Sequence, residues 1–333
     1  MKKNEWLKWQ RSHRNKTMPV LTFPAIKALN TSVRSIVQDS TKQADLMEFI
    51  ANKYPTSVAI GFMDLSVEAE AFGSEVRFFD FDVPTIIGSI IKTDEDAKTL
   101  IVPDPFTGRT NTYIQGIKKA KERISDKPVF AGVIGPFSLA GRLMDMTEIM
   151  INCYINPEIV VMTLQKTTDF IINYINAFKS VGADGVLMAE PAAGLLSPEL
   201  CQKFSSKYIK QIKEAVSDDS FVFGYHNCGN VLAVAKEIIE IDADIYHFGD
   251  AIDIKKMLDI MPEKCLIMGN INPSKFIKDS LKKEIYNDTY ELLKECNKHS
   301  NFVISTGCDI PCSAPLENVQ SYFDAVTDFY KND

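Results

Sequence analysis

Three side chains able to hold a soft metal ion stand out: His226 and Cys228 in "GYHNCGN" and Cys308 in "STGCDIP". His226 and Cys228 are two apart, a spacing that puts both on one face of an extended strand. A Gly-Asn turn follows them. One imidazole and two thiolates form the ligand set of a catalytic zinc site whose fourth position stays open. An H-x-C pair also arises by chance, and buried cysteines usually just pack. The third soft ligand near another strand end is what favours a metal. Cys312 competes for that place, but it falls past Pro311 towards a helix start; Cys308 lies closer to the strand. Of the other cysteines, Cys153, Cys201 and Cys296 fall in helical stretches and Cys265 opens a strand, so packing is expected of them. His247 sits inside a strand and reads as a satisfied core histidine. His13 and His299 read as surface residues.

A zinc ion with two thiolates and one imidazole is electron-rich and a poor activator of water. It suits a substrate thiol, whose pKa it lowers so that the nucleophilic thiolate forms at neutral pH. Alkyl transfer to sulfur is therefore expected over hydrolysis. Hydrolytic sites more often use histidines and carboxylates, and this chain has four histidines in all.

To bring these residues together, the chain needs strand ends that converge. Apolar, β-branched runs recur at 19–23, 57–62, 128–135, 183–189, 221–226, 243–249, 265–271 and 301–306. Continuous runs of this kind suit parallel strands buried on both faces. Helical patterns lie between them. Asn156-Pro157 and Ser197-Pro198 open two of these, each a capping residue followed by proline at the first helical position. The alternation predicts a single (β/α)8 barrel over residues 1–333, with 1–17 as an N-terminal helical extension packing Trp6 and Trp9 inward. A doubly wound sheet would call for a glycine-rich phosphate loop after the first strand, and "TFPAIKAL" is not one. Barrel enzymes carry their chemistry on the loops leaving the strands' C-terminal ends. Asp64, Gly135, Glu190, His226, Cys228, Asp250, Asn272 and Cys308 occupy such positions. The N–H groups after Gly135 could hold an anionic tail, although a plain strand-to-helix turn explains them as well.

Charge and composition narrow the partners. The 333 residues carry a net charge of −7, which argues against nucleic acid or an anionic membrane surface. No apolar run reaches the length of a membrane helix. The basic N-terminal run lacks the apolar core of a secretory signal. Seven cysteines without regular spacing make a disulfide framework improbable, so a reducing cytoplasm is expected.

The stretches "DLSVEAEAFG", "VIGPFSLAGRL", "GADGVLMAEPAAGLLSPE", "GYHNCGN", "MGNINP" and "STGCDIPCSAPLENV" resemble the uroporphyrinogen decarboxylase superfamily of (β/α)8 barrels. Within it they are most similar to the zinc-dependent methylcobamide:thiol methyltransferases of the coenzyme M type. The resemblance implies His226, Cys228 and Cys308 as zinc ligands and a substrate thiol in the fourth place. It implies a methyl-corrinoid carried by a separate corrinoid protein, from whose cobalt the thiolate takes the methyl group. It places Asp64 where the decarboxylases keep their key aspartate, so Asp64 and Glu190 are the candidate catalytic acids. Gly135 and Asn272 are the candidate binding positions. The related zinc-dependent methionine synthases place an acid after the sixth strand, which makes Asp250 a candidate fourth ligand beside Glu190, Asp64, Glu68 and Glu70. The decarboxylases bind substrate carboxylates with an arginine-rich stretch; here "TFPAIKALNTSVRSI" offers Arg34 alone. A cofactor-free decarboxylase and a zinc-stabilised scaffold are the alternative readings. The acceptor, whether coenzyme M, another thiol or tetrahydrofolate, stays open.

Overall fold

The fold was obtained as a computed structural model, describing residues 2–278 and 281–331. Seven strands form one parallel sheet: β1 (Ala59–Ile60), β4 (Val129–Ile134), β5 (Gly185–Ala189), β6 (Val222–Asn227), β7 (Ile245–Phe248), β8 (Leu266–Ile271) and β9 (Phe302–Thr306). Each pairs with the next in chain order, without a reversal. That order rules out the doubly wound alternative, whose strand sequence must turn back at a switch point. Among the described residues two further strands, β2 (Glu75–Arg77) and β3 (Thr85–Ile87), form a separate antiparallel hairpin.

Strand parity divides the apolar residues into two groups. Ile60, Phe130, Leu187, Val222, Ile245, Leu266, Met268 and Val303 pack together with Trp6, Met18 and Val20 on the inner face of the sheet. Their neighbours, such as Val129, Val186, Phe223, Tyr246, Ile267 and Ile304, pack in the larger cluster with helix residues such as Ile175, Ile209 and Leu293. A sheet buried on both faces explains why the strands read as unbroken apolar runs. Carried forward by twos, the same parity sends His226 and Cys228 after Val222, His247 after Ile245, and Ser305 and Gly307 after Val303 to the inner side.

The expected first strand, 19–23, does not form, so among the described residues the parallel sheet has seven strands rather than eight. Pro19 has no N–H to give a ladder, and the segment runs on into a 3-10 helix, Phe23–Ile26. It is held to both edges of the sheet by other means. Thr17 bridges Thr56, with Ser57 donating to the Thr17 carbonyl at 2.8 Å. On the other side Val20 N–H donates to Thr306 Oγ1 at 3.1 Å, Ser305 Oγ donates to the Met18 carbonyl at 2.7 Å, and Ile310 N–H donates to the Val20 carbonyl at 3.1 Å. The second run also shortens, from 57–62 to two residues.

The N-terminal helix Lys3–Ser12 lays Trp6 edge-on against Phe130, with ring centroids 5.5 Å apart. Trp6 is buried; Trp9 is half-buried and stacks on the exposed His13. Among the described residues, no helix is long and apolar enough to cross a membrane.

Candidate metal centre

The ends of β6 and β9 bring His226, Cys228 and Cys308 together, with one ligand atom from each lying within 4.8 Å of the others. Cys308 Sγ is 3.6 Å from His226 Nε2. A tetrahedral zinc with ordinary N and S bond lengths separates such a pair by about 3.6 Å. His226 is buried, and the two cysteines are half-buried at the rim. The neighbouring Cys308 thiol, by hydrogen bonding, holds the Cys228 thiol down at about 4, while Cys228 beside it and burial raise Cys308 far above the ordinary thiol range. The pair thus accepts one negative charge readily and a second only with a cation to share it, as a divalent ion would. Cys312 turns away, its thiol donating to the Phe81 carbonyl at 2.8 Å.

Two glycines make the convergence possible. A Cβ on Gly249, which follows β7, would stand 2.5 Å from Cys228 Cα; one on Gly307, just before Cys308, would stand 2.8 Å from Asp250 N. Neither loop end could approach its neighbour so closely with a larger residue. Asp250 is exposed beside Gly307 and does not join the three-residue group.

His247, expected as a core histidine, is fully buried and pairs in register with His226. Its Nδ1 is 2.8 Å from His226 Nδ1, and its Nε2 is 2.8 Å from Ser305 Oγ. Burial pushes its pKa well below the usual histidine value, so the ring is neutral. The sequence carried a signal for this contact: His247 falls two residues after an inward-facing strand residue, as His226 does.

Glu190 is buried at the end of β5 and caps the helix Pro136–Met144. Its carboxylate accepts from Phe137 N–H at 3.0 Å, Ser138 N–H at 2.6 Å and the Ser138 hydroxyl. The N–H groups after Gly135 thus hold this carboxylate, and Gly135 N–H itself donates to the Ala189 carbonyl. Asn272 caps a 3-10 helix by accepting from Ser274 N–H at 2.8 Å.

Asp64 lies in a separate buried network. It accepts from Ser66 N–H at 3.0 Å, Ser66 Oγ at 2.6 Å, the Tyr113 hydroxyl at 2.9 Å and the Arg109 guanidinium. Arg109 also binds Glu70 and stacks on Phe78. Neither Arg109 nor Tyr113 was singled out by sequence, because no local spacing links them to Asp64. Glu68 is buried nearby; one oxygen accepts from Ile134 N–H at 2.9 Å, the other has no partner among the described residues, and burial raises its pKa to about 7.

A sheet of consecutive parallel strands with a His-Cys-Cys cluster at its C-terminal rim defines a barrel-like α/β protein with a candidate site for a soft metal ion. The chain belongs to the uroporphyrinogen decarboxylase (URO-D) family, whose model matches residues 16–329. It is 27% identical over 274 residues to the methylcobamide:CoM methyltransferase MtbA of Methanosarcina acetivorans, covering 80% of this chain and 78% of the relative. It is also 27% identical over 284 residues to the uroporphyrinogen decarboxylase of Flavobacterium johnsoniae, covering 81% and 80%. The fold is shared with a methyltransferase from Methanosarcina mazei, at a TM-score of 0.84 and 21% identity over 94% of both chains.

Proposed function

We propose that this chain is a zinc-dependent methyltransferase that moves a methyl group from a methylated corrinoid, carried by a partner protein, to the sulfur of a small thiol. The observation that carries the reading is the convergence of His226 Nε2 with the Cys228 and Cys308 sulfurs. That donor set fits zinc, and its half-buried rim leaves the fourth place to a substrate thiol. Bound there, zinc would keep that thiol in its nucleophilic thiolate form at neutral pH.

The chain's own residues set the geometry. His226 is fixed from inside the sheet, and Cys228 and Cys308 are set by close packing at Gly249 and Gly307. Glu190 ties the helix after β4 to the end of β5, holding the rim in shape. We infer that residues 17–22, bonded to both sheet edges, act as the eighth stave of a closed barrel whose mouth receives the corrinoid protein. The chain's free cysteines and a site that needs thiolates suit a reducing compartment such as the cytoplasm.

The relative named for CoM methylation makes coenzyme M the first acceptor to try, with other thiols and tetrahydrofolate as alternatives. The decarboxylase reading fits the cluster less well. Asp64 is already neutralised by Arg109, and Arg34 is an exposed partner of Asp80. The test is to incubate zinc-loaded protein with methylcobalamin and a panel of acceptors, and to detect methylated product by mass spectrometry. Methylation of a thiol that Cys308→Ala abolishes supports the proposal. No methylation, with decarboxylation of uroporphyrinogen instead, would overturn it.

A further inference from the structure

The hydrogen bonds behind His226 determine which of its nitrogens carries the proton. The chain of contacts starts at the Met18 carbonyl, which can only accept. Ser305 Oγ lies 2.7 Å from it and must spend its one proton there. The same oxygen lies 2.8 Å from His247 Nε2, so that nitrogen must be the donor and carries the His247 proton. His226 Nδ1 lies 3.2 Å from the His247 carbonyl, a second group that can only accept, so that nitrogen carries a proton. His247 Nδ1, 2.8 Å from it, accepts the same proton and must be bare. In the neutral His226 ring, Nε2 is then left as a lone pair on the side of the two sulfurs.

We propose that His247, oriented by Ser305 and the Met18 carbonyl, is the positioning residue that locks His226 in its Nδ1–H form and so presents Nε2 to the metal. This rests on the reading of His226 as a metal ligand. Metal-binding histidines commonly donate their second N–H to a carboxylate, backbone carbonyl or water. A neutral imidazole fixes the tautomer equally well but adds no charge. With two thiolates balancing a divalent ion, it leaves the buried side of the centre uncharged. The relay also spans three places in the fold: β7, β9 and the irregular segment that carries Met18.

The test uses the full chain labelled with 15N-histidine. Long-range proton–nitrogen correlation spectra of the metal-free protein separate the two neutral tautomers directly, and the four histidines are assigned by substitution. Zinc affinity is measured in parallel by competition with a chromophoric chelator. Wild type should show His226 as the Nδ1–H form. Ser305→Ala, which frees the His247 ring, should give a mixture of His226 tautomers and bind zinc on the order of tenfold more weakly. His247→Leu should weaken binding by up to about a hundredfold. His247→Gln, with an acceptor and a donor in place of the two ring nitrogens, should recover part of the loss. If His247→Leu fails to fold, Ser305→Ala still decides the matter. A wild-type His226 protonated on Nε2 overturns the proposal. So does unchanged tautomer and affinity in Ser305→Ala. An Nδ1–H tautomer in wild-type protein that binds no zinc would support the relay while overturning the metal reading.

Discussion

Gly249→Ala probes the candidate metal centre without replacing any of its three proposed ligands. The added Cβ would lie 2.5 Å from Cys228 Cα, 2.8 Å from its carbonyl oxygen and 2.9 Å from its Cβ. Ordinary van der Waals contact begins near 3.4 Å, so the Cys228 backbone must withdraw by about 0.9 Å. These atoms are mainly backbone, not the far end of a flexible chain, and cannot simply swing aside. Metal sites tolerate ligand displacements of about 0.2 Å. Overpacking of this kind costs roughly 1–3 kcal/mol, and the misplaced sulfur should weaken zinc binding by about tenfold to a hundredfold. Zinc competition with a chromophoric chelator and thermal unfolding are measured on the same samples. Gly73→Ala is the control. Gly73 has φ of +103° with open space around it, so that variant should lose some stability and keep its zinc affinity. A Gly249→Ala protein whose zinc affinity stays within about threefold of wild type, a change of roughly 0.7 kcal/mol, would refute the packing argument.

Three further outcomes are expected. Cys312→Ser should keep its zinc and Cys308→Ser should lose it, as elemental mass spectrometry will show; equal loss in both would reopen the choice between them. Arg109→Met strips the buried Asp64 of its cation and should cost about 3–5 kcal/mol in urea unfolding, most of it restored by adding Asp64→Asn; an unchanged midpoint in Arg109→Met would count against the ion pair. Glu68 holds its proton up to about pH 7 in the folded chain against a reference value of 4.5. The folded state therefore binds more protons than the unfolded state between those values. Stability from this group is full below about pH 4.5 and is lost as pH rises through 7, by on the order of 3 kcal/mol at most. Burial raises Glu190 to about 7 and Asp309 well above the usual carboxylate range as well, so Glu68→Gln should remove only part of that slope; a slope unchanged in Glu68→Gln would show that Glu68 is ionised in the fold.

Much of the candidate site was legible because it obeys strand parity. His226 and Cys228 share a face by spacing, and Cys308 closes the group from the end of β9. The ordering of the parallel strands followed from their buried apolar runs. Other features depend on contacts far apart in the chain. The segment at 19–23 has strand composition, but Pro19 and the bonds from Ser305, Thr306 and Ile310 hold it in irregular form. Glu190 reads as a catalytic acid at a strand end, yet it is the acid that caps the helix after Gly135. Asp64 reads as an available carboxylate until Arg109 and Tyr113, distant in sequence, are seen to saturate it. His247 looked like packing because its partner is set by the register between β6 and β7.

The central claim is most directly tested by X-ray absorption at the zinc edge, recorded on zinc-loaded protein before and after coenzyme M is added. The account predicts about two sulfurs and one imidazole nitrogen around zinc at first, and about three sulfurs once the thiol binds. A sulfur count that does not change with thiol, or zinc without cysteine sulfur, would contradict it.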